Sequence, residues 1–202
     1  MKIFVTGFHR SGTHTAALEL AKKHKVSYIE ESRLGVMNDS SLLCAKDIAR
    51  GYFPRWVDGE YKPVRDLNLD KGFILHCPFL AHRVPELSEL GTVYWCDSDE
   101  KDIANSLHSQ DMHHVSLQVM RQFRDIFPDD KMWPIWKEEY RVKGEPDPHG
   151  VFVNHYLMLV KMKRYFYDKY FSGLATLIKL EEQPWYKPEL RKAIKLKVLE
   201  RI

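Results

Sequence analysis

The segment from Lys2 to Ala21 constrains the fold more than any other. An apolar run, Ile3-Phe4-Val5-Thr6, meets the turn Gly7-Phe8-His9-Arg10-Ser11-Gly12-Thr13-His14-Thr15, and Ala16-Ala17-Leu18-Glu19-Leu20-Ala21 follows. Strand, glycine turn and helix in that order build a nest of backbone N–H groups and aim the positive end of a helix dipole into it. The expected guest is a phosphate or sulfate group. The turn approaches G-x-x-x-x-G-K-[ST], but Thr13 stands at the lysine position, which weakens an ATP or GTP reading. Arg10 lies inside the loop and offers a planar fork suited to a pair of phosphate or sulfonate oxygens. The competing reading is a plain strand-to-helix turn with Arg10 in solvent.

Short β-rich runs alternate with helical patterns along the chain. Lys2 to Thr6, Val26 to Ile29, Gly72 to His76, Thr92 to Cys96 and Leu174 to Leu180 read as buried strands of a mostly parallel sheet. Helices are expected at Thr13 to His24, Pro85 to Leu90, Asp99 to Ser109 and Phe152 to Tyr170. The fold class is therefore α/β, a three-layer domain of the P-loop NTPase kind with helices on both faces. With 202 residues the chain needs only one domain, 1–202. Ligands of such sheets gather at the strand C-terminal ends, where the glycine turn, Glu30-Glu31, His76 and Asp97 fall. Two stretches resist the scheme. The stretch 38–70 mixes aromatics, charges and turn formers, and reads equally as a substrate-covering excursion or a peripheral helix and loop. The stretch 113–149 carries Trp133, Pro134, Trp136 and a helix-ending Gly144-Glu145-Pro146-Asp147-Pro148.

Charge narrows the partners. Lys and Arg number 31 against 28 Asp and Glu, a formal charge of +3, too mild for a nucleic-acid footprint and better matched to a small anion. The three cysteines, Cys44, Cys77 and Cys96, lack close metal-type spacing and read as reduced core thiols. No run reaches the roughly 20 apolar residues of a membrane span, and Ile3 to Phe8 is too short for a secretory core before His9-Arg10. A soluble, cytoplasmic protein is expected.

The run Phe4-Val5-Thr6-Gly7-Phe8-His9-Arg10-Ser11-Gly12-Thr13 resembles the 5′-phosphosulfate loop of the P-loop sulfotransferases, whose signature is Lys or Arg followed by Ser-Gly-Thr. His76-Cys77-Pro78, then Leu80, Pro85, Leu87, Val93-Tyr94-Trp95, Asp102, Ser106 and His108, is similar to the His-x-Pro strand end, short helix, strand and Asp/Ser helix of the cytosolic members. Leu177-Ile178-Lys179-Leu180-Glu181-Glu182 is similar to the family's late strand and acidic turn. The likeness covers the sheet core, about half the chain, and implies a donor, 3′-phosphoadenosine 5′-phosphosulfate, whose sulfuryl group passes to a hydroxyl or amine of a small-molecule or glycan acceptor. It implies donor contacts from Arg10, Ser11, Gly12, Thr13, His14 and Thr15, with Ser98 and Ser106 at the 3′-phosphate. Ser98 stands where the family has its 3′-phosphate arginine, Ile74 where it has a lysine and Thr15 where it has an aromatic, so the donor site is a divergent one. Lys101 reads either as a replacement cation or as a solvated surface lysine.

Sulfuryl transfer needs positive charge on the transferring group and a base for the acceptor. Arg10 and the loop amides fit the first need, with no metal required. Two bases fit the second. His76 has the side chain whose ordinary pKa lies nearest neutrality. Glu31 lies in Glu30-Glu31-Ser32-Arg33, which is similar to the Glu-Glu-Thr-Arg segment of tyrosylprotein-type sulfotransferases, with Arg33 placed to assist. A hydrogen-bonded strand-end histidine and a charged surface turn are the bland readings of the two.

Two alternatives stay open. Asp97-Ser98-Asp99 after an apolar run also resembles the metal-binding strand end of a Mg-dependent small-molecule kinase. A P-loop fold without turnover, serving as a nucleotide-binding or interaction module, is the other. His108, His113 and His114 do not have the spacing of a metal site. The tail Lys187 to Arg201 alternates basic and apolar residues and reads as a terminal helix, packed on the domain or meeting a membrane or partner. Tyr52, Phe53 and Trp56 fit a sugar, a phenol or core packing equally.

Overall fold

The structure, a computed structural model, describes residues 1–30, 39–57, 60–108, 113–143 and 153–186. Its centre is a five-stranded sheet built from β1 (Lys2–Gly7), β2 (Ser27–Ile29), β5 (Phe73–His76), β6 (Thr92–Asp97) and β7 (Ala175–Lys179), in the order β2-β5-β1-β6-β7. Every neighbouring pair is parallel. β1 holds the middle because Phe4 and Val5 are fully buried, one on each face, as a strand covered by helices on both sides requires.

Side-chain alternation divides the core in two. Ile3, Val5, Ile74, Cys96 and Ile178 face α1 (Thr13–His24), whose Ala16, Ala17 and Ala21 let the helix lie close to the strands. Phe4, Phe73, Leu75, Val93 and Trp95 face the opposite layer. That layer is formed by α2 (Asp39–Ala49), α3 (Val84–Leu90), α4 (Glu100–His108), α5 (His113–Ile126), α6 (Trp133–Lys143) and α7 (Val153–Phe166). The result is the three-layer α/β arrangement.

Both irregular stretches hold ordinary elements. Within 39–57 and 60–65 lie α2 and an antiparallel hairpin of β3 (Tyr52–Val57) and β4 (Glu60–Arg65), tied to α2 by the Tyr61 hydroxyl donating to Asp47 at 2.6 Å. Pro54 and Pro63 stand opposite each other in that hairpin, which a two-stranded ribbon tolerates and an interior sheet position does not. In the second stretch, α5 and α6 meet at the buried Asp130. This carboxylate accepts from Lys169 Nζ at 2.8 Å, Tyr170 at 2.7 Å and the Met132 N–H at 2.8 Å.

The strand order fixes where a ligand can sit. The chain leaves β1 toward β2 on one side and leaves β6 toward β7 on the other, so the crevice opens between the C-terminal ends of β1 and β6. Gly7 pairs with Cys96 there. Among the described residues no helix is long and apolar enough to cross a membrane.

Candidate anion-binding site

The loop leaving β1 is shaped by three positive φ angles. Gly7 has φ 130° and Gly12 φ 80°; between them Arg10 holds φ 70°, a left-handed conformation that costs a residue with a side chain about 1–2 kcal/mol. Neither glycine can be replaced freely. A Cβ on Gly7 would stand 2.3 Å from the Cys96 carbonyl oxygen, and one on Gly12 would stand 2.7 Å from Leu180 Cδ1. The loop is pinned from below by Ser11, fully buried, whose hydroxyl donates toward the Phe8 carbonyl at 2.8 Å and the Cys96 carbonyl at 3.0 Å. Gly12 caps α1 without a side-chain bond, and the first turn of the helix holds no acidic residue. Its leading N–H groups and dipole therefore face the loop with no built-in counter-charge on that turn.

Several expected donor residues come together here. Arg10 Nε donates to Ser106 Oγ at 3.0 Å, which joins the loop to α4 across 96 positions. Thr13, at the first position of α1, is buried, and its hydroxyl lies 2.9 Å from His76 Nε2 at the end of β5. The parallel register places His76 beside Val5, two residues before Gly7. His14 stands edge-on to His76 with ring centroids 5.6 Å apart, bonds through Nδ1 to the Tyr28 hydroxyl at 2.9 Å, and lies 3.7 Å from Glu30 Oε1. Thr15 is exposed on the first turn of α1.

Burial governs the histidines. Burial first, then the neighbouring His14, lowers the His76 pKa from 6.5 to about 4, so the ring is a neutral imidazole near pH 7. His9 is lowered well below its ordinary value by burial, then by Lys163, His76 and Arg10. His9 Nε2 and His76 Nδ1 are both buried without a hydrogen-bond partner, a state that costs stability and is found at functional sites.

Other expected residues lie apart from this group. Ser98 is 4% exposed, and its hydroxyl donates to Glu181, which also accepts the Asp99 N–H at 2.9 Å. Its polar group is thus engaged at the α4 N-terminus by a carboxylate from the turn after β7. Asp97 is engaged by Arg164, with Nε to Oδ2 at 2.8 Å and a second nitrogen to Oδ1 at 3.0 Å. Lys101 is exposed. Glu31 and Arg33 lie outside the described residues, as do the side chains of His108, His113, His114 and Trp56 and the whole of the tail from Lys187.

Sequence reasoning missed three side chains of the site region: Lys163 and Arg164 on α7, and Tyr28 on β2. Lys163 is 4% exposed and its Nζ donates to the Gly7 carbonyl at 2.8 Å. An ordinary helical pattern assigns both basic residues to solvent; only the register of α7 against α4 turns them inward. No family model matches the chain, and no curated protein matches it.

Proposed function

We propose that this α/β domain is a sulfotransferase: the loop from Gly7 to Thr13 holds the phosphosulfate of 3′-phosphoadenosine 5′-phosphosulfate, and the sulfuryl group moves to a hydroxyl or amine. The observation that carries the reading is Arg10. A guanidinium residue sits in a left-handed conformation within a glycine loop, above an uncapped helix N-terminus, with Nε on Ser106. Backbone strain of this kind persists at sites where a side chain must be aimed.

The chemistry follows from charge. The acceptor oxygen or nitrogen bonds to sulfur while the bond from sulfur to the bridging oxygen breaks, and the electron pair goes to the 5′-phosphate. Arg10 and the leading N–H groups of α1 bear the charge that builds on the transferring oxygens and leaving phosphate. His76 takes the acceptor proton. In the tautomer with Nε2–H donating to Thr13, the unpartnered Nδ1 carries the lone pair. The low pKa keeps that nitrogen unprotonated in the free protein, and the negative charge of a bound donor raises its proton affinity when the acceptor arrives. Glu31 remains the second base in the reading.

The test is release of adenosine 3′,5′-bisphosphate from the donor across phenol, amine and sugar acceptors, with mass detection of the sulfated product. Turnover on at least one acceptor supports the reading. Donor binding without turnover on any acceptor points to a binding module, and no donor binding removes the donor assignment.

A further inference from the structure

Thr13 and His76 share a hydrogen bond that can run in either direction. The Thr13 hydroxyl stands 2.9 Å from His76 Nε2, and a hydroxyl brings one proton and two lone pairs to such a contact. Burial, then the neighbouring His14, holds the imidazole pKa at about 4, so near pH 7 the ring is neutral and carries a single N–H, on one nitrogen or the other. With that proton on Nε2, the ring donates to Thr13 and Nδ1 keeps a lone pair. With it on Nδ1, Thr13 donates to Nε2 and Nδ1 can take no further proton. Nδ1 is buried without a hydrogen-bond partner, so it is unpaired in both tautomers and does not choose between them. His14 meets the ring edge-on, centroids 5.6 Å apart, while its own Nδ1 bonds to the Tyr28 hydroxyl. The choice falls to the direction of the Thr13 bond.

We propose that Thr13 is a positioning residue that couples the anion loop to His76: an anion on the loop takes the Thr13 proton, the Thr13 oxygen then accepts from Nε2–H, and Nδ1 is left with the lone pair of a base. The place of Thr13 suits this role. It is the first residue of α1, directly after Gly12 at φ 80°, where the leading N–H groups face the loop. At 4% exposure its hydroxyl has little contact with water, which would otherwise compete for the proton. The change moves one proton from Nδ1 to Nε2 by exchange with water and leaves the ring neutral. His76 thus becomes a base once the donor is seated, and the acceptor step waits on donor binding. The proposal rests on the reading of the loop as an anion site with His76 as its base.

Heteronuclear NMR of the His76 ring nitrogens, assigned by their loss in His76→Asn, tests it, with adenosine 3′,5′-bisphosphate as the anion and calorimetry to establish saturation. In the wild type at pH 7 the bisphosphate should move Nδ1 toward its unprotonated position and Nε2 toward its protonated one. Thr13→Ser keeps the hydroxyl and should respond as the wild type does. Thr13→Val keeps the shape alone; it should bind the bisphosphate more weakly, by about tenfold at most, and once saturated show no change at either nitrogen. A wild type that binds the bisphosphate with its His76 nitrogens unmoved overturns the coupling and leaves the loop reading intact. A saturated Thr13→Val that still shifts them overturns the role of Thr13. Absence of binding by the wild type removes the loop reading itself, and the proposal with it. Should Thr13→Val fail to fold, Thr13→Ala takes its place under the same criteria, and the wild-type titration alone still refutes the proposal if the tautomer does not move.

Discussion

The Thr13 hydroxyl and His76 Nε2 stand 2.9 Å apart, joining the first residue of α1 to the last residue of β5 across 63 positions. The pair exists because β5 lies parallel to β1 in a register that sets His76 beside Val5. It places a neutral imidazole at the mouth of the glycine loop.

His76→Asn should lower the maximal transfer rate by about 10² or more while leaving donor affinity nearly unchanged, as removal of a general base does. The same variant carries a stability signature. The folded pKa of about 4 lies below the ordinary 6.5, so between these values the unfolded chain binds more protons and wild-type stability falls as the pH falls, by about 3 kcal/mol at most. Denaturant unfolding followed from pH 7 to pH 4 should show a shallower loss in His76→Asn. Some slope remains, because His9 is shifted in the same direction.

Arg10 separates stability from function. Arg10→Gly relieves the left-handed strain at φ 70° and should raise stability by about 1 kcal/mol. It should also weaken donor binding about tenfold or more, because the charge-assisted contact is lost. Chemical denaturation and calorimetry on the one variant read both effects. A variant that is more stable and binds as before would take Arg10 out of the site.

Gly12→Ala should destabilise by about 2 kcal/mol or more, since a side chain at φ 80° is strained and its Cβ meets Leu180 at 2.7 Å. Adding Leu180→Ala should recover the contact part of that loss and not the backbone part. Gly7→Ala has no such remedy, because the obstacle is the Cys96 carbonyl. A thermodynamic cycle of the single and double variants checks the difference.

Asp130→Asn tests a feature remote from the loop. Burial pushes this carboxyl up, but bonds from Lys169, Tyr170, the Met132 N–H and Tyr165 outweigh it and hold its pKa at about 2. Its contribution is therefore present above the ordinary carboxylate pKa and lost as the pH falls through about 2. At neutral pH the substitution should cost about 3 kcal/mol and leave donor affinity unchanged. A loss of donor affinity in folded Asp130→Asn would link the α5–α6 junction to the loop.

The sheet was legible because its strands are short apolar runs, each followed by a glycine, a histidine or an acidic turn. The expected bounds of β1, β5 and β6 fall within a residue or two of the strands, and those of α1 match the helix to the residue. The hairpin of β3 and β4 was hidden by Pro54 and Pro63, which argue against a strand in any wider sheet. α5 and α6 were hidden because the Asp130 junction that orients them draws its partners from Lys169 and Tyr170, some 40 positions later. Within the site, Arg10, Thr13 and His76 carry local signals, a loop and a strand end. Lys163 and Arg164 carry none, since a charged residue on a helix reads as solvated until the fold brings its partner to it. The same limit applies to Ser98, whose engagement by Glu181 depends on β7 lying beside β6.

Thermal unfolding in the presence of adenosine 3′,5′-bisphosphate, with EDTA and without Mg²⁺, against ATP with Mg²⁺, puts the donor assignment to the most direct test. A ligand at a hundredfold excess over its dissociation constant stabilises the folded state by about 2.7 kcal/mol, about 5 °C or more for a chain of this size. The bisphosphate should give that shift in EDTA, and Arg10→Ala should abolish it. A shift seen only with ATP and Mg²⁺, or none with either nucleotide, would contradict the sulfotransferase reading.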